Sequence, residues 1–353
     1  MNKPSLHIVS EMHGSIGEIT TDLLPYFQDA FDVTLEGFQD PKDYKLLLSH
    51  FINPNVVNHE SFHKFEKKIL IQPIDGTAIK EDVIKCINQY DLIITPGSAG
   101  KHIMVSQGVI KPIVIIPNFY KDSLFIKPIS TIIKELPSDK VVFYHESTCH
   151  PRKGTEYLYE GFVRAFSDTE WADKVILVVK DSPFNEITFD KIEQLKRDTM
   201  ALQASYKNPA QIIKISQRLS EDTIKKLWYN ADIYVSFSKI EGFGIPLLRM
   251  AALGKPIIAL NSELSGYTDF LSSENSYLVN TKQVTAEDEF MFLYKKNTKW
   301  SIPISVEDIT KAFQVCQKDH LEKKAKVVDI KDIEYMHISN VAEKYIATVK
   351  KVL

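Results

Sequence analysis

The chain is poor in cysteine. Its 353 residues hold three, Cys86, Cys149 and Cys316, an odd number at wide spacing with no Cys-x-x-Cys pair. That pattern argues against a disulfide framework and against a structural zinc site, and it fits a reducing compartment. Positive charge is not in excess either. Lys and Arg number 43 against 46 Asp and Glu, giving a formal net charge of -3 at pH 7 with histidine neutral. A dedicated nucleic-acid binder usually carries a basic surplus, so that class is disfavoured. No apolar run approaches the roughly 20 residues of a membrane span. The opening MNKPSLHIVSEMHG lacks the long apolar core of a signal peptide. The expectation is a soluble cytoplasmic protein, or one peripheral at the inner face of a membrane. No short repeat or low-complexity tract is present.

What remains is ordinary globular composition, 44% hydrophobic and 25% charged, in a chain long enough for about two domains. Short apolar runs alternate with longer amphipathic segments. Strands are predicted at Leu6–Ser10, Asp32–Phe38, Lys67–Ile74, Asp91–Thr95 and Pro112–Pro117, with helical stretches between most of them, including EITTDLLPYF. A boundary-like segment follows, and the alternation restarts with KVVFYHE, KVILVVK, QIIKIS, DIYVSFS and KPIIAL as strands. Between them GTEYLYEGFVRAF and SEDTIKKLWYNA are helices, and YMHISNVAEKYIATVKKVL closes the chain as another. Strand–helix alternation implies parallel sheets with crossover helices. The reading is α/β with two Rossmann-like domains: residues 1–125, residues 126–335, and a C-terminal helix, 336–353. Ligands of open α/β sheets bind at the carboxyl ends of the strands, so the chemistry is expected in the strand-end loops.

Three such loops carry signals. In KIEGFGIPLLRM, Gly242 and Gly244 allow positive φ and close backbone approach. Pro246 suits a first helical turn, whose free N–H groups favour an anion. Glu241 can accept from hydroxyl groups, and an acceptor beside an anion site suits a nucleotide-sugar. Arg249 is read on the first turn of that helix. On spacing alone, a capped helix with a solvated Glu241 explains the loop as well. In CHPRKGTEY, Arg152 and Lys153 precede Gly154 and a helix start, a setting for a diphosphate; a solvated surface pair is the alternative. Lys180 ends the strand KVILVVK and points toward the same rim.

These segments resemble the donor-binding domain of GT-B fold, family 4 retaining glycosyltransferases. The resemblance rests on HPRKGTEYLYEGFVRAF, VILVVK, LSEDTIKKLWYNADIYVSFSKIEGFGIPLLRMAALGKPIIAL and SGYTDFL. DLIITPGSAGKHIMVSQGVIKPIVIIPN resembles, less specifically, the end of the group's acceptor domain. The resemblance implies that Lys153, with Arg152 beside it, contacts a donor diphosphate and that Lys180 lies near it. It implies a nucleotide-base site at Ser216 to Leu219, sugar contacts at Glu241, and a loop of Gly242, Phe243 and Gly244 along sugar and phosphates. Gly14 and Gly17 match the glycine loop that nears the reaction centre, which also carries His13. Glu241 and Lys153 are the expected catalytic pair. No cofactor and no obligatory metal are implied; the nucleotide-diphospho-sugar is a substrate, and the acceptor is a glycan, a lipid-linked sugar or another surface component.

The chain departs from the pattern twice. Arg249 stands where the second glutamate of the Glu-x7-Glu motif would bind ribose hydroxyls, and a guanidinium has five donors and no acceptor. The family's frequent arginine ahead of RKG is absent from ESTCHP. Asp75 in PIDGT is a candidate for acceptor binding or proton transfer, with a turn-forming Asp-Gly pair as the plainer explanation. TPGSAGKH fails the P-loop pattern, and His145, Cys149 and His150 lack a fourth metal ligand. Other functions stay open at this point: a nucleotide-sugar epimerase on the same fold, a binding subunit with a lapsed site, or, against the acidic balance, transfer of sugar onto DNA.

Overall fold

The structure, a computed structural model, describes residues 3–12, 14–35, 43–128, 136–137, 139–183, 187–286 and 293–353. Two six-stranded parallel sheets form two α/β units. The first sheet contains β1 (Ser5–Ser10), β2 (Asp32–Leu35), β3 (Leu46–His50), β4 (Lys67–Ile71), β5 (Leu92–Thr95) and β6 (Ile113–Ile115), in the order β2-β1-β3-β4-β5-β6. The second contains β7 (Val141–Cys149), β8 (Val175–Pro183), β9 (Gln211–Ile215), β10 (Ile233–Ser236), β11 (Ile257–Leu260) and β12 (Tyr277–Val279), in the order β12-β11-β10-β7-β8-β9. A hairpin, β13 (Thr281–Thr285) with β14 (Lys299–Pro303), lies outside both sheets. Helices α1 (Gly14–Ala30), α2 (Pro54–Val57), α3 (Glu81–Ile87) and α4 (Ser98–Ser106) belong to the first unit. The second unit has α5 (Thr155–Phe166), α6 (Ile187–Ala204), α7 (Glu221–Asn230), α8 (Ile245–Ala252) and α9 (Val306–Leu321), and α10 (Ile338–Val352) ends the chain.

Parallel strands covered by helices on both faces read as continuous apolar runs rather than alternating ones. IYVS in β10 and IIAL in β11 are buried at every position. The helices bury one stripe each. In α5 the buried set Leu158, Tyr159, Phe162, Val163 and Phe166 repeats at helical spacing. Ser220 caps α7 by accepting from the Thr223 N–H at 3.2 Å. The C-terminal helix crosses back to the first unit. Val341, Ala342, Tyr345 and Val349 join Leu23, Phe27 and Phe31 in one core, and the Phe27 and Tyr345 rings meet edge to face at 6.2 Å.

Several expectations need adjustment. The loop EMHGSIG is shorter than predicted, because α1 already begins at Gly14 and runs through Pro25 to Ala30. A Cβ at Gly17 would lie 2.3 Å from the Met12 carbonyl carbon, so glycine there lets the incoming chain fold over the first turn. β4 stops at Ile71 rather than Ile74, ahead of Pro73, which cannot donate to a ladder. β2 is described to Leu35; residues 36–38 of the predicted strand lie outside the described residues. β3, β12 and the β13–β14 hairpin went unpredicted. LLLSH lacks both β-branched residues and alternation, yet all five residues are buried between β1 and β4.

The strand order reverses beside β1 in the first sheet and beside β7 in the second. Crevices open at the carboxyl ends of strands at such points. Here they are the loop from β1 into α1, and the ends of β7, β8 and β10. Gly154, which follows β7 and precedes α5, has φ +63°, and a Cβ there would sit 2.0 Å from the Phe237 carbonyl oxygen at the end of β10. Gly154→Ala is expected to destabilise the fold by about 2 kcal/mol through strain and collision. Urea unfolding measures this, and a loss under about 0.5 kcal/mol would contradict it.

Candidate functional site

A cavity of about 840 Å³ lies between the two units at these strand ends. The first unit contributes Met12, Gly14, Gly17 and Glu18 from the start of α1. The second contributes Glu146, Ser147 and Thr148 at the end of β7, Lys180 and Ser182 at the end of β8, and Leu219 ahead of α7. Trp228 on α7, and Ile245, Pro246 and Arg249 on α8, complete that wall. Of the residues expected from sequence, the cavity thus gathers Gly14, Gly17, Lys180, Leu219 and Arg249. His13 lies outside the described residues.

Next to this cavity along the chain, though not among its lining residues, is a cluster of charges: Thr148 runs on to Arg152 and Lys153, and Glu241 precedes Ile245. Glu241 Oε1 pairs with Lys153 Nζ and lies 3.2 Å from Arg152 Nη1. Arg152 Nη2 lies 3.4 Å from Asp75 Oδ2, and its Nη1 also donates to the Ile240 carbonyl at 3.2 Å. Asp75 Oδ1 accepts from the Gly242 N–H, and the Asp75 N–H donates to Tyr294 Oη at 2.7 Å. The residues Asp75, Arg152, Lys153 and Glu241 therefore form one network across the interface, with side chains only 11–18% exposed. Asp75 is more than a turn former: it ties the first unit to the glycine loop. A Cβ on Gly242 would lie 3.1 Å from Asp75 Oδ1 and from Pro73 Cβ, so the absence of a side chain there permits the approach.

Burial alone would raise the Glu241 carboxyl pKa, but Lys153 and Arg152 outweigh it and hold the pKa down at about 2. Lys153 is lowered by burial and by the neighbouring Arg152, despite the pull of Glu241. Arg152 is raised: Asp75 and Glu241 overcome its desolvation. The carboxyl pKa of Glu241 is depressed in the folded state, so its stabilising contribution is complete above its unfolded value and lost as pH falls toward about 2. Thermal melts from pH 5 to pH 2 are expected to fall more steeply in the wild type than in Glu241→Gln. Parallel curves would contradict the assignment.

Gly244 caps α8 with φ +93°, leaving Pro246 in the first turn. Arg249 is on the second turn of α8 rather than the first, since the helix begins at Ile245. It does not turn away from the cleft. Its Nη2 pairs with Glu18 of α1 across the cavity, its Nη1 lies 3.9 Å from Glu146 Oε1, and its guanidinium sits 5.2 Å from the Trp228 ring centre. Phe243 is buried in the second unit's core against Phe270, so it offers a ligand only its backbone. Lys180 Nζ donates to Ser182 Oγ at 2.6 Å and to the Asp181 carbonyl at 3.3 Å; burial lowers its pKa. His145 is a core histidine, within hydrogen-bond distance of the Val235 carbonyl and Ser147 Oγ, its pKa lowered to about 4 by burial.

Sequence reasoning missed Glu146, Trp228 and Glu18. Glu146 carried a signal, since it ends the predicted strand KVVFYHE at a carboxyl terminus. The other two were indistinguishable from ordinary helix residues.

Residues 130–291 match the family described as Glycosyl transferases group 1. No curated protein matches the chain in sequence. Among solved structures, the chain is similar to a UDP-forming α,α-trehalose-phosphate synthase from Burkholderia xenovorans (TM-score 0.73, 9% identity, 99% of each chain covered). A trehalose-6-phosphate structure from E. coli bound with UDP-2-fluoro glucose is alike to the same degree (TM-score 0.73, 10% identity, 99% of each chain). The pneumococcal O-GlcNAc transferase GtfA, in complex with UDP and GlcNAc, is more distant (TM-score 0.57, 14% identity, 87% of this chain and 56% of that one). The chain thus has the GT-B fold of two Rossmann-like units facing a cleft, and its residues 130–291 match the glycosyl transferases group 1 model.

Proposed function

We propose that the protein is a retaining glycosyltransferase that moves a sugar from a nucleotide-diphospho-sugar to a glycan, lipid-linked or other surface acceptor. One observation carries this reading: Lys180 and Arg249 line the interdomain cavity, and the chain running on from its β7 wall and into its α8 wall holds Arg152, Lys153 and Glu241, which with Asp75 join the two units. The family match over residues 130–291 and the solved GT-B structures holding UDP or a UDP-sugar support it. The place of work is proposed as the cytoplasm, including the inner face of a membrane where the acceptor is lipid-linked. Among the described residues no helix is long and apolar enough to cross a membrane.

The chemistry follows from where the charges sit. As the bond from the sugar's anomeric carbon to the donor phosphate stretches, negative charge grows on the phosphate oxygens. Lys153 and Arg152, with the free N–H groups at the starts of α5 and α8, stabilise that charge. Lys180 adds a cation from the opposite side of β7. The acceptor hydroxyl attacks from the face the phosphate leaves, the new bond forms to the anomeric carbon, and the departing phosphate takes the hydroxyl proton. Glu241, anionic throughout, orients sugar hydroxyls and keeps Lys153 in place; the backbone of Gly242 to Gly244 lies along the donor. Gly14 and the start of α1 bring the acceptor side of the cleft to the reaction centre, and Asp75 holds the two units in register.

A thermal-shift screen with nucleoside diphosphates and their sugars tests the reading. A ligand at a hundred times its dissociation constant adds about 2.7 kcal/mol, and such a shift is expected for at least one nucleotide. Absence of any shift across the panel would overturn it.

A further inference from the structure

We infer that Glu146 receives the ribose hydroxyls of the bound nucleotide, with Arg249 as its counter-charge on the facing helix; this rests on the donor-site reading above. The carboxylate of Glu146 is built into the cavity wall. Its Oε2 accepts from Tyr144 Oη at 2.7 Å and from Trp228 Nε1 at 2.6 Å. Tyr144 is fully buried and Trp228 nearly so, hence neither donor can swing away and the carboxylate plane is set before any ligand arrives. The other oxygen, Oε1, has no hydrogen-bond partner among the described residues; Arg249 Nη1 stands 3.9 Å from it. An acceptor-only group with one oxygen open to a cavity takes O–H donors and repels anions. A pair of neighbouring hydroxyls is the ligand that satisfies its remaining lone pairs.

The surroundings say which hydroxyls. Glu146 lies beside an apolar shelf, where Trp228, Leu219 and Ile224 line the cavity, and near two cations, Arg249, whose guanidinium sits over the Trp228 ring, and Lys180 on β8. Apolar surface, carboxylate and cations together match a base, a ribose diol and a diphosphate. Arg249 then has a task that a glutamate could not perform. It balances Glu146 and keeps donors free for phosphate, whereas a second carboxylate at 249 would face the first.

The test is calorimetric titration with UDP, ADP and GDP and their 2′-deoxy forms, against wild type and Glu146→Gln. For the diphosphate that binds, wild type is expected to prefer the ribose form by about tenfold or more, the effect of losing a charge-assisted hydrogen bond. Glu146→Gln is expected to bring that ratio to within about twofold. The ratio is taken within each protein, so a smaller folded fraction does not alter it. Should Glu146→Gln not fold, Tyr144→Phe removes one of the two donors that set the carboxylate and is expected to lower the ratio about threefold. If Glu146 only anchors Tyr144 and Trp228, both nucleotide forms weaken together and the ratio stays at its wild-type value, which overturns the inference while leaving the donor site standing. Failure of all three diphosphates to bind wild type would instead remove the donor site and this inference with it.

Discussion

Glu241→Ala is expected to cost about 3–5 kcal/mol of folding stability at neutral pH and to stop turnover, because it strands two cations at once. Lys153 loses its carboxylate partner, and Arg152 keeps one carboxylate, Asp75 at 3.4 Å, besides the Ile240 carbonyl. Both cationic side chains are more than four-fifths buried, so water cannot restore what the carboxylate supplied. The depressed carboxyl pKa, about 2, expresses the same coupling from the other side. Urea denaturation of Glu241→Ala and Glu241→Gln separates stability from chemistry. The glutamine variant keeps an acceptor for Lys153 and is expected to unfold nearer the wild type, while still losing the charge that orients sugar and lysine. A loss below about 1 kcal/mol in the alanine variant would show that the network is not holding these cations.

Lys153→Ala is expected to reduce transfer by about a hundredfold to a thousandfold, the usual effect of removing one donor aimed at developing charge. The larger part should fall on kcat, since the phosphate gains charge as the glycosidic bond breaks. Lys153→Arg is not a conservative control. A planar guanidinium beside Arg152 would meet Glu241 in a different geometry, so a large loss is expected there too. Stability should respond differently. Removing Lys153 leaves Glu241 with Arg152 at 3.2 Å, so Lys153→Ala is expected to unfold closer to wild type than Glu241→Ala. A Lys153→Ala enzyme with unchanged kcat would contradict the proposed role.

Local signals made much of this readable from sequence. The helix over Thr155–Phe166 follows from its apolar stripe, α7 from a serine cap ahead of Glu221 and Asp222, and α8 from a glycine and proline at its start. Lys153, Glu241 and the glycines announce themselves because backbone approach and anion binding need those residue types near one another in the chain. What stayed hidden depends on distant partners. Asp75 and Gly242 are 167 residues apart, and only the fold shows that the aspartate secures the glycine loop. Glu146 gains its meaning from Trp228, 82 residues away. β3 was hidden for another reason: a run of leucines reads equally as helix, and only its place between β1 and β4 makes it a strand. Arg249 stood out as an anomaly in the motif, but its partners, Glu18 on the other unit and Glu146 on β7, could be found only in three dimensions.

The central claim is that cations at the ends of β7 and β8 draw a nucleoside diphosphate off an activated sugar. The most direct measurement is nucleoside diphosphate release, followed by phosphorus NMR, from a panel of nucleotide-sugars incubated with wild type and with Lys153→Ala. Release from at least one donor by the wild type, slowed about a hundredfold or more in the variant, is the predicted result. Release from none of the donors, or at equal rates from both proteins, would contradict it.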